Sequence, residues 1–296
     1  LQLIILFFME SSKTIFIKII NNFKVAISGK EQNFTSGSIR RAVFMLSVPM
    51  ILEMMMESIF FLVDAYFVSS LGANAIATVG LTESVLTLVY AVAIGLSMGV
   101  TAIVARRVGE KDIDGASKTA VQAILLGVVV ALLISVFGIV YPKEILALMG
   151  GGKELIQDGF RYTQVLLGGN LTIMLLFLIN AVFRGAGDAS VAMKVLIFSN
   201  ILNIILDPIL IFGLGPIPSF GVQGAAIATT IGRGSAVIFQ LFILFYGWSK
   251  IKVGLKDFVF RAKMMWNLVK VSLGGIGQFI IGTSSWVFLM RIMAEF

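Results

Sequence analysis

Two groups of polar side chains stand out in an otherwise apolar sequence because their types and spacing could do chemistry. Glu53, Glu57 and Asp64 are four and seven residues apart, so on a helix turning about 100° per residue they fall within roughly 40° of one another. Asn200, Asn203 and Asp207 recur at i, i+3 and i+7, again on one face, and Pro208 follows directly. Acids in hydrocarbon are costly, so they face a protein-lined or wet cavity and mark a site. Burial and a like-charged neighbour both disfavour the ionised form. Such carboxylates can therefore load and release a proton, or hold a small cation.

Asp64 lies seven residues before Leu71 and Asp207 six before Gly213, which puts both about 10 Å below the same membrane surface at 1.5 Å per residue. That matched depth singles out this pair. Glu53 and Glu57 lie deeper on the stripe, where Arg233 in the sixth helix is the expected partner for a structural ion pair. Glu83, close to the expected start of its helix, reads as interfacial. Met54, Met55 and Met56 suit adaptable packing. Pro49 leaves the Met45 carbonyl without its helical donor, and Pro208 does the same to Ile204, so both positions are candidate bends and Pro49 a candidate hinge.

These residues must be positioned by membrane helices. The chain has 296 residues, of which 58% are hydrophobic and 13% charged, and the apolar matter comes in runs long enough for helical spans rather than barrel strands. Seven spans are expected, at 43–68, 79–104, 117–141, 162–183, 190–213, 222–247 and 266–290. The fold class is therefore an all-α polytopic membrane protein, a six-helix transporter lobe plus a seventh transmembrane helix. Of the 23 Lys and Arg, 18 fall at one side of these spans and only Lys143, Lys153 and Arg161 in the opposite loops. Basic loops stay cytoplasmic, so the N-terminus is expected inside. The net charge of +7 is then topological, with some attraction to anionic lipid and none required to nucleic acid.

The domain division expected is 1–39 as a basic cytoplasmic lead-in carrying Lys13, Lys18, Lys24 and Lys30, 40–248 as the six-helix lobe, 249–263 as a cytoplasmic linker, and 264–296 as the first helix of a second lobe. The first residue is Leu, and a true start near Met9 is expected. Laying the seventh helix over the first sets Ser272 on Ser47, Gly274 on Pro49 and Gln278 on Glu53, a weak repeat of the kind found in secondary transporters. With no Cys and no His, thiol chemistry, disulfides, most zinc sites and imidazole triads are excluded. No enzyme activity and no cofactor is expected beyond a coupling ion, proton or sodium. The only metal reading is sodium at Asp64 and Asp207.

Several motifs occur in order at the helix ends. They are Val63-Asp64 leading to Leu71-Gly72-Ala73 and Ala77-Thr78-Val79-Gly80; Gly99 through Ala105-Arg106-Arg107-Val108-Gly109; Phe183-Arg184-Gly185-Ala186-Gly187-Asp188; and Gly224-Ala225-Ala226 followed by Ala228-Thr229. Over roughly residues 40 to 290 the sequence resembles the multidrug and toxic compound extrusion (MATE) family. The resemblance implies an antiporter of the cell (inner) membrane that exports small cationic amphipathic compounds in exchange for protons or sodium, using two six-helix lobes that alternate access. It also implies a cation site of Asp64, Asn203, Asp207, Asn180 and Thr229, with Tyr162 lining the lobe and Pro49 as the bend. Asn180 fits this set least well, being near the cytoplasmic end of its helix. Glu53, Glu57 and Asn200 are read as cavity-lining. The family has twelve helices, so the expectation is an incomplete frame, the alternative being a second copy or partner chain that supplies the other lobe.

Two other functions fit parts of the pattern. A lipid-linked saccharide flippase of related fold would favour a cationic cavity to hold pyrophosphate, whereas the acids here favour cationic cargo. An intramembrane aspartyl protease is suggested by Gly185-Ala186-Gly187-Asp188, but it needs two aspartates sharing a proton. Asp188 falls in a basic-side loop, with no second Asp at its depth.

Overall fold

The computed structural model describes residues 21–29, 38–247 and 249–293. Lys13, Lys18 and Lys30 of the expected lead-in, and the expected start at Met9, lie outside the described residues. Residues 21–28 are helical. The main helices are α1 (Ile39–Ser69), α2 (Ala73–Gly109), α3 (Ile113–Val140), α4 (Pro142–Leu148), α5 (Lys153–Gly168), α6 (Leu171–Ala186), α7 (Ala189–Phe212), α8 (Val222–Tyr246) and α9 (Ala262–Met293). No strand occurs among the described residues, and seven stretches are long and apolar enough to cross a membrane, with α5 and α6 together forming one. In hydrocarbon each backbone polar group must be satisfied within its own segment, and helices do this.

Three local features differ from the expected boundaries. α2 begins at Ala73 rather than residue 79, because the loop from α1 closes in three residues, where Gly72 at φ 101° takes a backbone conformation that L side chains rarely adopt. α4 was not expected; Pro142 opens it, where a missing N–H costs nothing. The expected fourth helix, 162–183, starts earlier and is interrupted at Gly169 and Asn170. There the fully buried Asn170 amide donates to the Ala131 carbonyl at 3.1 Å, Ser135 Oγ at 2.9 Å and its own Leu167 carbonyl at 2.7 Å. Those bonds stitch the break to α3.

α1 and α7 run through Pro49 and Pro208 as unbroken helices. α1 packs on α7, α7 on α8, and α2 on α3, α5, α6 and α9, around a core that includes Leu86, Val100, Met174, Leu178 and Phe183. Lipid tails are as apolar as leucine, so close backbone approach between small residues carries much of this association. A Cβ on Gly224 of α8 would stand 2.3 Å from the Leu210 carbonyl oxygen of α7. α9 lies along α2 in the same manner, with Gly95 against Ile276 and Gly99 against Ser272.

The stretch between α8 and α9 is held to the Lys- and Arg-rich end, hereafter the basic end. Ser249 Oγ and the Lys250 N–H both donate to the Asp188 carboxylate. Gln122 of α3 donates to the Val259 carbonyl at 2.8 Å and accepts from the Arg261 N–H at 2.9 Å. Asp188 is thus engaged as a clamp on this stretch.

Candidate functional site

Polar groups form three tiers along α1, α2, α6, α7 and α8. The tier farthest from the basic end contains Asp64, five residues before the end of α1, and Asp207, five before the end of α7. Asp207 is fully buried and Asp64 is 9% exposed. One helical turn from Asp207, Asn203 donates to its carboxylate at 3.3 Å and to Thr229 Oγ1 of α8 at 3.4 Å. The opposite amide rotamer is better satisfied, donating to Asp207 Oδ2 at 2.9 Å and accepting from the Thr229 N–H at 3.0 Å. Asp64 lies within range of the Asp207 charge, and its buried Oδ1 has no hydrogen-bond partner. Tyr162, fully buried on α5, feels the charges of Asp64 and Glu83. Asn200 follows one turn inward, buried, with an unpartnered amide nitrogen.

The middle tier centres on Arg233. Its guanidinium sits 5.6 Å from the centre of the Phe60 ring and 5.7 Å from that of the Tyr90 ring. Glu57 of α1 and Glu83 of α2 lie within its charge range. Glu83 is therefore an interior residue, where the sequence pattern makes it interfacial. The cause is the helix start: from Ala73 it lies ten residues in, about 15 Å, rather than about one turn. Tyr90, seven residues further and on the same face, is the signal in the sequence that goes with it.

The third tier faces the basic end. Glu53 accepts from Arg184 at 3.3 Å and from the Asn180 amide at 3.2 Å, and Gln240 donates to the Asn180 carbonyl oxygen at 2.6 Å. The sequence pattern pairs Glu53 with Arg233; in the structure its partner is Arg184 at the basic end of α6, because Arg233 lies beside Phe60, two turns further along α1. Asn180 accordingly bonds to Glu53 and Gln240, not to the Asp64 and Asp207 tier. Arg184 and Gln240 are absent from the sequence-derived set, since a lone Gln within a span and an Arg at a helix end carry no periodic signal. A cavity of about 380 Å³ opens between these groups, lined by Met50, Glu53, Met54, Glu57, Asn180 and Arg184 among others.

Among the described residues, no three acidic groups converge closely enough to hold a metal ion. The far tier instead offers two carboxylates, an amide and a hydroxyl, oxygen donors suited to a proton or a hard monovalent cation.

Among the described residues, seven apolar stretches carrying a column of acids define a multi-pass membrane protein. The chain belongs to the MatE family, whose model matches residues 49–209. It is 32% identical over 197 residues to a FAD transporter of Shewanella oneidensis, which covers 66% of this chain and 43% of that protein. It is 29% identical over 195 residues to a probable multidrug resistance protein NorM of Thermotoga maritima, 66% of this chain and 42% of the other. A solved outward-facing multidrug resistance MATE family transporter of the MOP superfamily superposes with a TM-score of 0.76 at 30% identity, over 85% of this chain and 56% of that one. The chain spans about half the length of the relatives it matches.

Proposed function

We propose that this chain works in a secondary active antiporter of the inner membrane that exports cationic amphipathic compounds in exchange for protons or sodium by alternating access. Residues 40–248 act as one lobe, 249–263 as the linker and 264–296 as the start of a second lobe, completed by further polypeptide or a second chain. The observation that carries the reading is the far tier: Asp64, with an unpartnered buried oxygen, lies within range of the charge of Asp207, which is held by Asn203, itself bonded to Thr229. Coupling-ion binding there competes with cationic cargo drawn to the carboxylates of the 380 Å³ cavity. Pro49, one turn from Glu53, supplies the bend that links the two.

The test is ethidium efflux from energised cells expressing the protein. Asp64→Asn and Asp207→Asn each abolish gradient-driven efflux while leaving the protein in the membrane; efflux at the unmutated rate removes the site assignment. A second reading, anionic cargo, is favoured by the FAD transporter relative and by Arg184 in the cavity wall. Direct binding separates them, because FAD and ethidium carry opposite charge. A saccharide flippase is the weaker reading, since Glu53 and Glu57 offset the single Arg184 in that wall.

A further inference from the structure

Two sites that the exporter reading needs to communicate, the far tier and the cavity, are joined by one cationic side chain. Arg233 of α8 projects between them. The acids within range of its charge are Asp64 of the far tier, Glu57 in the cavity wall and Glu83 of α2. It is held chiefly by two ring faces, Phe60 at 5.6 Å and Tyr90 at 5.7 Å. Ring faces retain a cation without neutralising it. No hydrogen bond ties the guanidinium to one carboxylate among the described contacts, so its charge is shared between acids on opposite sides.

We propose that Arg233 is a tethered counter-ion that moves between Asp64 and Glu57 and makes binding of the coupling ion and of a cationic substrate mutually exclusive. When a proton or sodium neutralises Asp64, the pull on that side disappears and the guanidinium settles toward Glu57. A cationic substrate then finds its carboxylate occupied. Conversely, a substrate cation at Glu57 drives the guanidinium toward Asp64 and expels the coupling ion. Linkage requires the two effects to be equal in size. Arg233 acts through the acids and is a positioning residue rather than a binding one.

The inference rests on the exporter reading, and a double-mutant cycle separates the two. The probe is ethidium, a planar monocation, binding to the full chain in lipid nanodiscs at pH 8 and followed by its fluorescence. Asp64→Asn stands in for the neutralised far tier. In the otherwise unchanged protein it weakens ethidium binding by roughly tenfold, whereas in the Arg233→Gln background it weakens binding by less than about twofold. Arg233→Gln alone tightens binding, and Arg233→Lys, which keeps the charge, restores the sensitivity to Asp64→Asn. Charges that stay in place contribute additively, so an additive cycle overturns the proposal while leaving the exporter reading intact. Should Arg233→Gln fail to fold, the cycle of Asp64→Asn with Glu57→Gln tests the same motion, since the guanidinium then has no second acid in the cavity wall; additivity there overturns the relay as well. Failure of the unmutated chain to bind ethidium at all removes the exporter reading and the relay together.

Discussion

Asn203 holds the far tier in place. Its amide has one donor-rich and one acceptor end, and the site uses both, the nitrogen on Asp207 and the oxygen on the Thr229 backbone. Replacing it with Ala leaves a buried carboxylate and a buried N–H without partners, a loss of about 1–3 kcal/mol. Asn203→Ala should therefore lower the melting temperature in detergent, whereas Asn203→Gln, which keeps both ends, should lower it less; equal losses would mean that the amide contributes only volume. At this scale the sequence was informative where a residue type is costly in its setting. Asp64, Asn203 and Asp207 announce themselves because acids and amides within spans need partners, whereas Thr229 is reached only through the family resemblance. Asn180 did not announce its partners, since Glu53 and Gln240 are 127 and 60 residues away in sequence. Glu83 was misplaced by a helix boundary rather than by its chemistry.

The helices themselves are set by their ends and by their small residues. Asp112 begins α3 by accepting from the Gly115 N–H at 2.9 Å, and it also meets Arg107 at 2.7 Å. The Gly115 bond first, then Arg107 and Lys118, hold its carboxyl below the usual carboxylate range. A carboxyl depressed in the folded state stabilises above its unfolded pKa, and that contribution is lost as pH falls through the folded value. Asp112→Ala should thus lower the melting temperature at neutral pH, and the gap from the unmutated protein should close on acidification below the ordinary aspartate range; a gap constant with pH would remove the cap. Along the α2–α9 seam a Cβ on Gly95 would lie 2.4 Å from the Ile276 backbone nitrogen, so Gly95→Val must push the helices apart. Because the chain has no cysteine, the pair Met98→Cys and Gly275→Cys can be cross-linked by a short bis-maleimide without background. Adding Gly95→Val should reduce that yield several-fold, on the order expected when overpacking costs about 1–3 kcal/mol. Undiminished cross-linking would show that the seam is looser than its glycines imply. Long apolar runs made the spans legible beforehand. α4 and the break at Gly169 and Asn170 were not, because a seven-residue helix packed through Leu146 on Leu81 and Leu155 and a kink satisfied by Asn170's bonds to α3 depend on distant contacts that periodicity does not encode.

Across the whole molecule, the acids descend from Asp64 and Asp207 through Glu57 and Glu83 to Glu53, and each step inward has an arginine beside it, Arg233 and then Arg184. Among the described contacts of these acids only Glu53 has a hydrogen-bonded cation, Arg184; Glu57, Glu83 and Asp64 meet Arg233 through charge alone, and Asp207 has no arginine within its charge range. Glu53 is already neutralised by its own arginine, whereas Asp207 is not, and this difference supports the proposal that the coupling ion is taken at the far end. Which membrane face this end meets follows from the charge pattern: Lys250, Lys252 and Lys256 flank α9 on the basic end, while Lys143 and Lys153 lie opposite. The asymmetry predicts a basic end in the cytoplasm, so the far tier opens toward the outside. The cysteine-free chain makes the test direct. A single Lys256→Cys should react with a membrane-impermeant maleimide only in inside-out vesicles, and Lys143→Cys only in right-side-out ones. The reverse pattern would turn the column over, placing the unpaired acids at the cytoplasmic face, where no inward proton or sodium gradient could load them from outside.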